Sequence, residues 1–89
     1  MYMYFIYMLK NSLKKLYIGV TTNPQQRLQY HNEKRGAIFT KRDSKFSIVM
    51  LERHHTLADA RKREIQIKKW RREKKEMLIN RYAKGLPTN

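Results

Sequence analysis

Two short stretches, Phe5-Ile6-Tyr7 and Tyr17-Ile18-Gly19, decide how this chain folds. Each sits in an apolar run dense in aromatic and branched residues, the composition of a buried strand. The first run, Tyr2–Leu9, reads as a strand covered on both faces. Lys10–Lys15 is polar, with Asn11 and Ser12, and suits a hairpin connection. Leu16–Val20 is the second strand. Two short strands joined by so brief a loop pair antiparallel.

Outward from the hairpin, the next signal is Thr22-Asn23-Pro24. Asn23 caps a helix, and Pro24 fits a first turn, where no N–H is needed. The helix should run to about Lys34, with Gly36 as a stop just past it. Arg27, Leu28 and His31 fall on one stripe of it. Ala37–Lys45 is a basic loop with Thr40, Lys41, Arg42 and Lys45. Phe46–Leu51 reads as a third strand, with His54 and His55 at its exit. Thr56-Leu57-Ala58-Asp59 resembles a capping box with Asp in place of Glu. A basic helix follows to about Trp70 or Arg72, then a further helical stretch, Lys74–Tyr82, ended by Gly85 and Pro87. The order β-β-α-β-α-α implies an α+β fold: a three-stranded, mainly antiparallel sheet flanked by helices. Residues 1–84 form one domain, and 85–89 are expected to be a flexible tail.

The charge narrows the partners. The chain of 89 residues holds 21 Lys and Arg against 7 Asp and Glu, a net charge of +14. Such an excess repels itself in a compact state, and a polyanion relieves it. Nucleic acid is the partner this balance favours. A membrane surface is not favoured, because the basic helices lack a wide apolar face. No apolar run approaches the roughly 20 residues of a membrane span. The lack of cysteine excludes disulfides and thiolate metal sites and fits a reducing, cytoplasmic setting. The aromatic strand Met1–Tyr4 leaves room for a homodimer or an accessory protein partner. A domain this small buries only about 60–65% of its unfolded surface, so its core is thin.

Several side chains carry possible chemistry. Leu57, Ala60, Glu64 and Ile67 share the helix face expected to pack on the sheet. A carboxylate among apolar neighbours needs a partner. Three readings of Glu64 stand: an ion pair with Arg27 or Arg61, a Glu at the rim of the core, or a ligand for a divalent cation. One carboxylate suffices for Mg²⁺, which keeps waters and takes phosphate oxygens. Arg27 and His31 are four apart and meet on one face, either as a solvated surface or as a phosphate clamp and a proton relay. Tyr7 and Tyr17 lie on adjacent strands, as core residues or as a general base whose pKa the cationic surroundings lower. Gly19 ends a strand beside a helix entry, for turn geometry or for close approach of a ligand. His54 and His55 lack a third ligand at useful spacing, so zinc is rejected and a solvated strand exit is expected. Lys68-Lys69 and Arg71–Lys75 read as exposed helix faces able to grip phosphates. Trp70 reads as a packing anchor, with base stacking as the other possibility.

The ordered set resembles the GIY-YIG nuclease superfamily, above all its small single-domain bacterial members. These are related in domain to the incision subunit of nucleotide-excision repair and to intron homing endonucleases. Phe5-Ile6-Tyr7 stands at the first motif and Tyr17-Ile18-Gly19 matches the second. Thr21-Thr22-Asn23-Pro24, leading to Arg27 and His31, resembles the following helix. Arg61-Lys62-Arg63-Glu64, then Ile67-Lys68-Lys69, resembles the helix of the metal-binding glutamate. The likeness spans about residues 3–80.

The resemblance implies a DNA endonuclease with one divalent cation, Mg²⁺ or Mn²⁺, on Glu64. It implies that Arg27 holds the scissile phosphate and that Tyr17 or Tyr7, assisted by His31, activates water. Gly19, Lys41, Arg42, Lys45 and Lys68 would contact nucleic acid. Two departures stand out. Phe5 replaces a glycine, and the family's late asparagine has no counterpart beyond Asn80. The missing asparagine and the high charge favour an alternative, a non-catalytic nucleic-acid-binding protein on a nuclease fold.

Overall fold

The computed structural model describes residues 3–36 and 45–89. The elements are β1 (Tyr4–Asn11), β2 (Leu16–Thr21), α1 (Pro24–Gly36), β3 (Phe46–His54), α2 (Leu57–Lys68) and α3 (Arg72–Ala83). The three strands form one antiparallel sheet in the order β2-β1-β3. The expected α+β architecture is thus the one observed. The aromatic β1, read as buried on both faces, is the central strand.

Local chemistry explains the turns. Asn11 Oδ1 accepts from the N–H groups of Leu13 (3.1 Å) and Lys15 (2.8 Å), closing the hairpin. Lys14 there takes the left-handed conformation, φ 64°. Asn23 caps α1, its Oδ1 accepting from the Gln26 N–H at 3.1 Å. Thr56 caps α2 through the Asp59 N–H, also at 3.1 Å.

Alternation along β1 builds two cores. Ile6 and Met8 pack with Met50, Ile67 of α2 and Leu78 of α3. Tyr7 and Leu9 pack with Phe46 and with Leu28 of α1. Residues of one strand with the same parity normally share a face. Phe46 and Met50 do not, because β3 carries an irregularity: Met8 pairs with Met50 and Leu9 with Ile48, so Val49 is extra. That one-residue bulge lets β3 feed both cores.

Four expectations are corrected. The third strand runs three residues past Leu51, because Glu52 is buried there opposite Ile6. His54 is not solvated: its Nε2 lies 2.9 Å from Glu52 Oε1, with the side chain mostly covered. Leu57, placed on the inward face of α2, is exposed, while Ala60, Glu64 and Ile67 are buried. The second long helix stops at Lys68 rather than Trp70 or Arg72. The chain turns over 69–71, and this brings both Trp70 and Leu78 against one core.

The C-terminal stretch also has defined contacts where fraying was expected. Glu52 accepts from Arg63 Nε (2.9 Å) and from Thr88 Oγ1 (2.7 Å), and Arg63 Nη2 donates to the Thr88 carbonyl at 2.8 Å. A buried carboxylate needs such saturation by donors.

Asn32 fastens α1 to the sheet. Its amide donates to the Phe46 carbonyl (3.1 Å) and accepts from the Phe46 N–H (2.7 Å). The side chain thus imitates a neighbouring strand at the start of β3.

Candidate active site

An open groove of about 500 Å³ runs along the edge strand β2. Its lining includes Tyr7 of β1, Tyr17 and Gly19 of β2, Arg27 of α1, and Arg61, Glu64 and Lys68 of α2. Lys75 of α3 completes one side. Tyr7, Tyr17, Gly19, Arg27, Glu64 and Lys68, singled out from the sequence, therefore meet in one place. His31 stands behind them, its Nε2 3.3 Å from the Tyr7 hydroxyl. Its ring meets the Tyr17 ring edge-on at 4.6 Å and the Phe46 ring at 6.0 Å. Lys45 is exposed and is not among the lining residues. Lys41 and Arg42 lie outside the described residues. Asn80 is exposed and does not line the groove either.

Tyr7 sits on the central strand yet its hydroxyl reaches the groove at the sheet edge. The register explains this, since Tyr7 pairs with Gly19 on β2. With no side chain at 19, the Tyr7 ring lies across the β2 backbone. Gly19 thus has a specific task, to leave space for that ring.

Burial raises the Tyr7 pKa above the ordinary phenol value; Arg27 and Arg61 pull it back, while Tyr17 and Glu64 push it up further. This corrects the expectation that surrounding cations lower it. At neutral pH Tyr7 carries its proton. With His31 protonated on Nδ1, the Tyr7 hydroxyl donates to Nε2.

Glu64 is only 6% exposed. Its Oε1 accepts from Arg61 Nη1 at 3.0 Å and its Oε2 pairs with Lys68 Nζ at 2.9 Å. Burial raises its pKa, but the hydrogen bonds and the positive charges of Lys68 and Arg61 together outweigh burial and hold the carboxyl below its usual value. Of the readings of Glu64, the ion pair is thus present, with Arg61 and Lys68 and not with Arg27.

The donor set also fits a hard cation. Among the described residues Glu64 is the one carboxylate lining the groove, and each of its oxygens has a lone pair beyond its present partner. No three His, Asp or Glu gather as a cage among the described residues. An ion here would keep waters and take phosphate oxygens, as Mg²⁺ and Mn²⁺ do.

Arg61 and Lys75 were not singled out from the sequence as groove residues. Arg61 had a signal, lying three before Glu64 on one helix. Lys75 was legible only as part of the charge run Arg71–Lys75, because its place beside the groove depends on the turn at 69–71.

Two strands, a helix with Arg and His, and a second helix with one inward Glu define a nuclease domain of the GIY-YIG type. The GIY-YIG catalytic domain family matches residues 3–77, and the chain belongs to that family. A UPF0213 protein of Syntrophus aciditrophicus is 45% identical over 76 residues, covering 84% of this chain and 87% of its own. A UPF0213 protein of Staphylococcus aureus is 37% identical over 76 residues, covering 85% and 93%. The solution NMR structure of a UPF0213 protein from Bacillus halodurans superposes with a TM-score of 0.57 at 27% identity, covering 88% of this chain and 83% of that one. Nucleic acid is the partner such a domain implies. No helix among the described residues is long and apolar enough to cross a membrane.

Proposed function

We propose that this protein is an endonuclease that hydrolyses phosphodiester bonds in DNA, with preference for structure over sequence, in the presence of Mg²⁺ or Mn²⁺. The observation that carries this reading is the convergence of Tyr7, Tyr17, Arg27 and Glu64 from four elements on one groove. Among the described residues the groove sets four cations, Arg27, Arg61, Lys68 and Lys75, against one carboxylate, which suits a phosphate backbone.

Arg27 holds the scissile phosphate through its planar fork. Tyr7 remains protonated and acts as a relay: its oxygen takes a proton from the attacking water as its own proton passes to His31 Nε2. The Tyr17 edge and Phe46 hold the imidazole in register. Lys68 and Lys75 grip flanking phosphates. A divalent cation on Glu64 would stabilise charge on the leaving oxygen.

The test is purified protein on branched, flapped and nicked DNA, with Mg²⁺ or Mn²⁺, beside Glu64→Gln. Cleavage by the natural chain, lost in the variant with binding nearly unchanged, is the expected result. A second reading, a binding module without catalysis, draws on one observation: both Glu64 oxygens are already held by cations. Tight, salt-sensitive binding without cleavage of any substrate would select it.

A further inference from the structure

The turn between α2 and α3 carries a second cationic surface next to the groove. Residues 68–75 hold six Lys and Arg against one acid, Glu73. Lys68 and Lys75 line the groove. Lys69, Arg71 and Lys74 line a separate pocket with Trp70, Met77 and Glu73. Its apolar part is Trp70 with Met77, whose side chain is 51% exposed. Trp70 is half-buried and anchored against the core beside Ile67 and Leu78, so its ring is already fixed. Lys74 Nζ lies 4.2 Å from the ring centroid.

We propose that this pocket is a second nucleic-acid contact, at which an unpaired nucleobase stacks on Trp70 and its flanking phosphates meet Lys69, Arg71 and Lys74. The proposal rests on the nucleic-acid reading of the groove and extends it to a substrate class, DNA with a single-stranded flap or branch. Two features favour this occupant. The pocket's charge is complementary to a phosphate backbone. It also neighbours the groove along the chain, since the adjacent residues Lys68 and Lys69, and Lys74 and Lys75, line one site and the other. A base inside a duplex is stacked on both faces, whereas an unpaired base has a free face to offer a ring. Lys74 now covers the ring, but an exposed cation–π contact is weaker than base stacking on the same ring. The displaced ammonium becomes free for a phosphate. Arg63, 5.1 Å from the ring centroid, is held by Glu52 and Thr88 and stays in place.

Trp70 is the only tryptophan of the chain, so its emission reports the surroundings of this one ring. The probe is a dye-labelled oligothymidine of roughly ten nucleotides, titrated in EDTA beside a blunt duplex of the same length. Binding is read by dye anisotropy and stacking by Trp70 emission. The expected result is saturable quenching by the single strand and little by the duplex. Lys74→Ala keeps the quenching and lowers the salt slope of single-strand binding by about 0.7. Trp70→Leu weakens the single strand by at least roughly fivefold and leaves the duplex unchanged. Anisotropy showing tight single-strand binding with unchanged emission overturns the proposal, as does equal quenching by the duplex. No step needs cleavage. Quenching without cleavage of any substrate would keep this pocket and remove the nuclease reading.

Discussion

The ring of Tyr7 lies over Gly19, its cross-strand partner, with Cζ 2.7 Å and Cε2 2.9 Å from where a Cβ on residue 19 would stand. Neither can change alone. Gly19→Ala forces the Tyr7 ring to move, at about 1–3 kcal/mol of stability. It also shifts the hydroxyl away from His31, and a displacement near 1 Å costs roughly 100-fold in rate. Thermal melts and cleavage rates measured together check this. A variant that melts early yet cleaves normally would contradict the role given to Tyr7.

Asn32 sets the position of His31 next to it. Asn32→Ala removes both hydrogen bonds to Phe46, about 1–2 kcal/mol in all. The larger effect is expected on kcat, because α1 carries Arg27 and His31. A kcat loss with KM nearly kept is the expected split.

The Glu52 cluster governs acid stability. Burial raises the Glu52 pKa, but hydrogen bonds from Arg63, His54 and Thr88 outweigh it and set it below the usual range. A depressed folded pKa adds stability above the unfolded value, near about 4.3. That stability is lost as pH falls through the folded value. Urea midpoints should therefore decline on acidification below that point. Glu52→Gln should lower the neutral plateau by about 3 kcal/mol and flatten the acid limb. Glu64 and Glu76 are lowered as well, so part of the decline persists in the variant.

Groove cations should separate by role. Lys75→Ala lowers the salt slope of DNA binding by about 0.9 and leaves the chemical step intact. Arg27→Ala should lose cleavage out of proportion to binding. Equal losses in both variants would place Arg27 among general phosphate contacts.

The hairpin, α1 and its cap were legible in the sequence because their signals are local: apolar runs, Asn11, Asn23 and Pro24. The extent of β3 was not, since Glu52-Arg53-His54 reads as a polar exit. Its burial depends on Arg63 and Thr88, far along the chain. The break after Lys68 lacks Gly or Pro and follows from tertiary packing of Trp70. At the site, residue identities were readable through the family pattern. The Tyr7–His31 contact and the direction of the Tyr7 pKa needed the fold, because both depend on burial.

β1 is hydrogen-bonded on both sides, to β2 and to β3. Tyr7 cannot leave its place unless both ladders open, which is close to global unfolding. The relay is therefore not a loop that frays ahead of the rest. Heat inactivation and loss of secondary structure should coincide in a single transition, and the backbone amide of Tyr7 should be among the last to exchange with solvent.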